Sequence, residues 1–167
     1  MKIVENDYNY SMIVQDILTN EDFCKLKYIE HHATTKYAHS IRVSYHAYRI
    51  TKMLHLDYIK TARAGLLHDF AISKNGRTEI ERFKDTFTHP KQALIESKKR
   101  FNLTELEENI IISHMFPTYT ALPKYLESWI VVLTDKTIGL KELLGKLKYK
   151  LSYYKNIYIL CIFNIIK

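Results

Sequence analysis

Apolar side chains recur every three or four residues over most of this chain, which is the spacing of one face of an α-helix. Residues 9–30 fit one or two helices, and residues 36–56 fit a longer one. The inward stripe of that longer helix is predicted to contain Val43, His46, Ala47, Ile50, Met53 and Leu54. His39 lies four residues before Val43, so we expect it on the same buried stripe.

The middle of the chain predicts a buried helix, a long connection and a further helix. Residues 58–70 form the buried helix, and Asp57 before them is suited to capping its N-terminus. The pair His68-Asp69 then falls at its C-terminal end. Residues 71–88 carry Ser, Asn, Gly and many charges, which predicts a long connection. The next helix is predicted to begin at His89-Pro90, because proline favours the first helical turn.

The last third of the chain also predicts helices. The segment Thr104–Glu107 has the pattern of a capping box and is predicted to open a helix with His114 on one face. A long helix is predicted over residues 123–151, and Asp135 follows the apolar run Val131–Leu133 inside it. Because no strand pattern is convincing, these elements predict an all-α bundle of about seven helices.

Composition agrees with a helical domain. The 167 residues suffice for one domain with a substantial core, and we draw no boundary within residues 1–167. The four Gly and three Pro are few, which favours helices over a turn-rich β fold. Cys24 and Cys161 stand far apart without a CxxC, which excludes a zinc ribbon and a disulfide framework. This pattern, and an N-terminus without a signal-peptide apolar stretch, predict a cytoplasmic protein.

The charge leaves several partners open. A net charge of +7 suits a nucleic acid, an anionic membrane surface or a phosphorylated small molecule. There is no zinc-finger spacing and no RNA-binding aromatic motif, so nucleic acid is not a required partner. The strongly apolar run 157–166 is too short for a transmembrane segment. The apolar tail of residues 153–167 is expected to pack on the core, to form a homodimer interface or to rest on a membrane surface.

Four histidines and two aspartates spread through these helices are the candidate functional residues. They are His39, His68, Asp69, His89, His114 and Asp135. Successive positions are separated by about one helix and a connection, so consecutive helices could each direct a ligand at one centre in the bundle core. A buried carboxylate is costly unless a charge compensates it, and imidazole with carboxylate suits Fe, Mn, Zn or Ni. For any single histidine, a hydrogen-bonded core residue is the alternative.

Three segments around these residues resemble the HD superfamily of metal-dependent phosphohydrolases. They are His39-Ser40-Ile41-Arg42-Val43, Leu66-Leu67-His68-Asp69 and Leu133-Thr134-Asp135-Lys136, in the H…HD…D order of that superfamily over about residues 36–145. His89 and His114, which fall between them, are similar to the subset of HD proteins that hold two metals. The nearest subset is the small bacterial HD proteins similar to symmetrical diadenosine-tetraphosphate hydrolases.

The resemblance implies an HD-domain bundle with two divalent ions in its core. The first ion would be bound by His39, His68, Asp69 and Asp135, and the second by Asp69 as a bridge with His89 and His114. Iron or manganese is the implied metal, with zinc or nickel as alternatives. A metal-activated water would then cleave a phosphoester or phosphoanhydride bond of a nucleotide or dinucleotide.

Further residues receive expected roles from the same comparison and from their charge. Catalytic roles are expected for His68, Asp69 and Lys136. Substrate phosphate is expected to contact Arg42, Lys74, Arg77 and Lys136, because arginine and lysine suit phosphate oxygens. For Lys74 and Arg77, which lie in the long connection, the alternative is that they belong to a solvated loop. A regulatory HD domain that binds metal and nucleotide without turnover is the alternative to an enzyme, followed by a nucleic-acid-binding module.

Overall fold

The computed structural model describes residues 7–31, 34–71 and 79–165, with no account of the side chains of residues 31, 79–87 and 155–165. Within these residues the chain forms seven α-helices, which confirms the predicted all-α fold. The helices are α1 (Tyr8–Leu18), α2 (Glu21–Cys24), α3 (Lys36–Met53), α4 (Tyr58–Leu67), α5 (Glu79–Lys98), α6 (Glu105–Ser113) and α7 (Leu126–Ile165). A 3-10 helix at Lys25–Tyr28 follows α2, and a short antiparallel pair joins Glu30–His31 (β1) to Thr34–Thr35 (β2).

Two predicted helix starts have the side-chain caps that the sequence indicated. Asp57 accepts a hydrogen bond from the backbone N–H of Lys60 at 3.0 Å and begins α4. At α6, Thr104 accepts from the N–H of Glu107, while the Glu107 carboxylate accepts from the N–H of Thr104 at 2.8 Å. These caps satisfy backbone donors that a helix leaves unpaired, so both starts are determined locally.

Helices α3 and α4 pack unusually closely, because small residues face each other. A Cβ placed on Gly65 of α4 would lie 2.9 Å from the Cα of Ser44 in α3. The Ser44 hydroxyl donates to the carbonyl of Ala62 at 2.6 Å and accepts from the Tyr10 hydroxyl of α1 at 2.8 Å. Glycine and serine thus allow the contact, and one hydroxyl connects three helices.

The predicted inward stripe of α3 is partly wrong. His46, Ile50, Met53 and Leu54 are exposed, whereas Val43 and Ala47 are buried as predicted. The buried side of the helix instead includes the polar residues Ser40, Ser44 and Thr51. Close approach to α4 requires small side chains. The hydroxyl of Thr51 donates to the carbonyl of Ala47 within α3, and that of Ser44 donates to Ala62 of α4, so both can be buried. Apolar periodicity alone therefore misjudged the buried face by part of a turn.

The predicted start of α5 is also wrong. The helix begins at Glu79, ten positions before His89, and Pro90 lies inside it. In the sequence, Ile80, Phe83 and Phe87 recur at helical spacing, a signal that the charges around them obscured. A proline inside a helix removes one backbone hydrogen bond but does not prevent the helix.

Helix α7 extends beyond the predicted end at residue 151 and continues to Ile165. Its first part is buried against the bundle, where Val131, Val132 and Ile138 join the core. Tyr153 and Tyr154, at the start of the tail predicted to be apolar, are exposed. Among the described residues, none of the helices combines the length and apolarity needed to cross a membrane.

Candidate metal centre

The ends and inward faces of five helices bring the six candidate histidines and aspartates together. His39 lies in the first turns of α3, His68 and Asp69 directly follow α4, His89 lies within α5, His114 directly follows α6 and Asp135 lies in α7. Their ligand atoms form two groups, within each of which all atoms lie within 4.8 Å of one another. We call His39, His68 and Asp135 the first group, and Asp69, His89 and His114 the second group.

The first group is centred on one carboxylate oxygen. Oδ1 of Asp135 lies 2.9 Å from Nε2 of His39 and 3.5 Å from Nε2 of His68. Both imidazole rings are almost completely buried, and the Asp135 side chain is 15% exposed. Three donors on three different helices therefore point into one small volume.

The second group has the same composition, with Asp69 following α4, His89 in α5 and His114 following α6. Nε2 of His89 lies 2.9 Å from Nε2 of His114, and Oδ1 of Asp69 lies 3.4 Å and 3.7 Å from these two nitrogens. The His114 ring is almost completely buried, and the His89 side chain is 16% exposed.

Asp69 stands between the two groups. While its Oδ1 faces His89 and His114, its Oδ2 lies 3.9 Å from Nε2 of His68 in the first group. The side chain is only 5% exposed. One carboxylate thus presents a separate oxygen to each group, which is the geometry of a bridging ligand.

Backbone contacts fix which ring nitrogen of two histidines is available. Nδ1 of His68 donates to the carbonyl of Gly65 at 2.8 Å, and Nδ1 of His114 donates to the carbonyl of Ile111 at 2.7 Å. In the neutral ring the Nε2 lone pair then points into the cluster. Nε2 of His68 is buried and makes no hydrogen bond. Such an unpaired nitrogen is costly in the interior unless a proton or a metal ion occupies it.

The donor spacings are compatible with a divalent ion in each group. Two donors bound about 2.1 Å from one ion at a right angle lie about 3 Å apart. The His39–Asp135 and His89–His114 distances of 2.9 Å are close to this value. The residues present therefore fit a divalent cation in both groups by donor type and by spacing.

Electrostatics distinguish the histidines of the two groups. Burial lowers the pKa of His68, but the negative charges of Asp69 and Asp135 outweigh burial and raise this pKa to about 9. Burial and the charge of His68 lower the pKa of His114 to about 3. Burial opposes the charged form of Asp135, yet His39 and His68 hold its pKa well below the ordinary value. The carboxylates thus favour a positive charge at Nε2 of His68, carried by a proton or a metal ion, whereas the ring of His114 stays neutral.

Glu142 is a contact residue that sequence analysis missed. Its Oε2 accepts a hydrogen bond from Nδ1 of His39 at 3.0 Å, and its other oxygen is paired with Arg42. The Glu142 side chain is only 7% exposed. It lies seven residues after Asp135, which is two helical turns and the same face of α7, so this spacing was the signal that could have revealed it. A carboxylate on Nδ1 orients the ring and leaves Nε2 as the metal-facing atom.

Of the basic residues predicted to contact phosphate, Arg42 and Lys136 lie outside both groups. Arg42 pairs with Glu142 and lines a groove of about 420 Å³ between α3 and α7, whose apolar lining includes Ile50, Leu133 and Ile138. Lys136 is exposed and donates to the carbonyl of Phe116 at 2.5 Å, and partial burial lowers its pKa. Lys74 and Arg77 lie outside the described residues.

Comparison with protein families agrees with this geometry. The model of the HD domain family matches residues 37–140, and the chain belongs to that family. The matched span contains all six residues of the two groups. HD domains bind divalent metals, and most members of the family are metal-dependent hydrolases. Searches of curated proteins and of solved structures gave no significant match.

Proposed function

We propose that this chain is a metal-dependent phosphohydrolase with two divalent ions bridged by Asp69. The observation that carries the proposal is the position of the Asp69 carboxylate, whose oxygens face the two groups separately. A carboxylate between two sets of imidazole donors is what a binuclear hydrolytic centre needs. Membership of the HD domain family supports the same class of reaction.

The proposed ligand sets follow from the distances. The first ion is held by His39, His68, Asp135 and one oxygen of Asp69, and the second by His89, His114 and the other oxygen of Asp69. Two bound divalent ions lower the pKa of water and stabilise both the attacking and the leaving oxygen of a phosphoryl group. Iron or manganese is our first choice of metal, and zinc or nickel fits the same donors.

The chain's own residues preorganise this centre. The carbonyls of Gly65 and Ile111 hold the rings of His68 and His114 in one tautomer. Glu142 does the same for His39. Because these partners are set by helix ends and by packing, the donors need little reorganisation when the reaction develops charge.

The proposed substrate is a phosphorylated small molecule, in particular a nucleotide or dinucleotide. The resemblance to diadenosine-tetraphosphate hydrolases and the net charge of +7 support this class. Lys136 follows the ligand Asp135 and is the nearest candidate cation for substrate phosphate, with Lys74 and Arg77 as further candidates. Arg42 is more suited to holding Glu142, with which it is paired, than to contacting the reacting phosphate.

The testing experiment measures metal content and hydrolysis on the same samples. Anaerobically purified protein and its Asp69→Ala variant are reconstituted with iron or manganese and analysed for bound metal. Each is then assayed with bis(p-nitrophenyl) phosphate and with a panel of dinucleoside polyphosphates. The matched control is Asp16→Ala, which removes an exposed carboxylate paired with Arg63 outside both groups.

We expect about two ions per chain and hydrolysis for the natural sequence and for Asp16→Ala, and loss of both for Asp69→Ala. Two ions without hydrolysis of any substrate would instead favour the regulatory HD domain that binds metal without turnover. No retained metal after reconstitution would refute the binuclear centre. Equal metal content in both aspartate variants would refute the bridging role of Asp69.

A further inference from the structure

Helix α7 changes character at Glu142. Up to that residue the helix contributes buried side chains to the bundle, but every residue from Leu143 to Tyr154 is exposed. The helix is continuous through this change and reaches Ile165. A helix without tertiary contacts is only marginally stable in water, because packing of an apolar face normally stabilises it. This part of α7 therefore presents a surface suited to a partner.

The exposed part, together with the helical turn before it, carries a regular apolar stripe. We call it the α7 seam, and it consists of Leu140, Leu144, Leu147, Leu151 and Tyr154, each more than half exposed. Successive members are separated by four and three residues in alternation. This is the heptad spacing of a coiled coil, in which such residues insert between side chains of a facing helix.

The spacing of the α7 seam also continues in the sequence. Tyr158, Cys161 and Ile165 follow Tyr154 at intervals of four, three and four residues within the same helix. The heptad spacing is therefore specific over residues 140–154, about two heptads, and leads into the run 157–166, which is apolar at nearly every position. A continuous seam of this kind predicts a helical partner of comparable length.

The charges beside the α7 seam determine which helix fits. Lys141 and Lys148 lie next to Leu140 and Leu147 on one side, and Lys150 lies next to Leu151 on the other. All three are exposed, whereas the single acid of this region, Glu142, is turned towards His39. These flanking positions form the interhelical ion pairs of a coiled coil and set partner choice.

Two copies of this chain fit the α7 seam poorly. Pairing it with itself places flanking lysines opposite lysines in either orientation, which is repulsive. A membrane surface also fits poorly, because helices that lie on membranes have a strongly charged outer face. Opposite the α7 seam the helix carries Gly145, Tyr149, Ser152 and Tyr153, and Lys146 is the one charged residue on this face between Leu143 and Tyr154.

We propose that the α7 seam is the docking site for an amphipathic helix of another protein, with leucine-type residues at its seam and acidic residues beside it. Charge complementarity selects this partner over a second copy or a lipid surface, and the Leu seam supplies the apolar contact. The proposal does not rest on the phosphohydrolase function, since none of its residues belongs to the first or second group.

The test uses the full chain and a defined probe. A fluorescent peptide of four heptads with Leu at both seam positions and Glu at both flanking positions is titrated with the protein, and anisotropy is recorded. The matched peptide carries Lys at the flanking positions. We expect the acidic peptide to bind, the lysine peptide not to bind, and binding of the acidic peptide to weaken as salt increases.

Two variants connect binding to the α7 seam. Leu147→Asp should weaken binding of the acidic peptide by more than about tenfold, because it places a charge in the apolar contact. Lys148→Glu combined with Lys150→Glu should transfer the preference to the lysine peptide. These positions are exposed, so both variants should keep the metal content and thermal midpoint of the natural sequence, which checks that they fold.

Three results would overturn the proposal. Equal binding of both peptides, or binding of neither, would show that charge complementarity does not select the partner of the α7 seam. Sedimentation as a dimer that Leu147→Asp converts to monomer would show that a second copy covers the α7 seam. Flotation with phosphatidylserine vesicles that depends on Lys148 and Lys150 would show that a lipid surface is the partner instead.

Discussion

The first and second groups have the same donor types but differ in how these donors are held. In the first group, His39 is fixed by Glu142, and the ring of His68 is fixed by the carbonyl of Gly65 in the closely packed α3–α4 interface. In the second group, the ring of His114 is fixed by the carbonyl of Ile111, and His89 comes from the middle of α5. Each group thus has a ring held by a backbone carbonyl, and the first group has the Glu142 carboxylate behind His39 in addition.

This difference predicts unequal affinity for metal. The first group has a carboxylate of its own in Asp135, a second carboxylate in Glu142 behind it, and one oxygen of Asp69 nearby. The second group has the Asp69 carboxylate with two imidazoles. More negative charge around the first position favours it, so we expect its ion to be the last one that a chelator removes.

The largest effect is expected from removing one histidine of each group in turn. His89→Ala should reduce the bound metal from about two ions per chain to about one, because the first group keeps its donors. His39→Ala should leave less than one ion per chain, because Asp69 then bridges to an incomplete site. Elemental analysis of the two variants side by side measures this. Equal losses in both would show that the groups are equivalent.

Glu142→Ala should weaken metal binding at the first position by about 10–100-fold, the usual effect of removing a hydrogen-bond partner of a metal-binding histidine. The ion of the second group should be retained. Competition with a coloured chelator measures both affinities. Glu142→Gln keeps an acceptor for Nδ1 of His39, so it should restore most of the affinity. If Glu142→Gln binds metal as weakly as Glu142→Ala, the charge of Glu142 and not its hydrogen bond determines the affinity.

Gly65→Ala should reduce the free energy of unfolding by about 1–3 kcal/mol, because the new methyl group meets the backbone of Ser44 at 2.9 Å. It should also weaken metal binding, since the carbonyl of the same residue holds His68. Urea denaturation measures the change in stability.

Gly145→Ala is the matched control for that substitution. A Cβ at this α7 position has no neighbour within 4 Å, so the helix should gain about 0.5–1 kcal/mol from the loss of glycine. If the Gly65→Ala and Gly145→Ala variants were equally stable, the α3–α4 interface would accommodate a methyl group at Gly65 without loss of stability.

The smallest effect is expected away from both groups, at the pair of Asp16 and Arg63. Burial opposes the charge of Asp16, but hydrogen bonding to Arg63 lowers its pKa below the ordinary value of 3.8. A carboxyl whose pKa is lower in the folded state stabilises the protein above the unfolded pKa, and this contribution is lost as pH falls through the folded pKa.

Asp16→Ala should therefore reduce the free energy of unfolding by less than about 1 kcal/mol at pH 7, since the Asp16 side chain is half exposed. The difference in free energy of unfolding between Asp16→Ala and the natural sequence should become smaller as the pH falls below 3.8. Urea denaturation at several pH values measures it. A difference independent of pH would mean that packing of the side chain, and not its charge, is responsible.

Local signals in the sequence predicted much of the fold. The caps at Asp57 and Thr104 depend on residues three positions apart, and both were predicted correctly. The start of α5 was not, because a proline at a plausible first turn outweighed a weaker apolar periodicity before it. The exposure of His46 was also missed, since helical periodicity gives a face but does not say which neighbour covers it.

By itself the sequence identified the six candidate ligands that the structure brings together, because their order and the helical patterns around them can be read from local sequence. Tertiary structure decided how these residues are divided. Asp69 reaches both groups, and Glu142 contacts a histidine 103 positions away, through the packing of α3 against α7. Contacts over such separations depend on side-chain size and close approach, as at Gly65 and Ser44, and no local pattern along the chain specifies them.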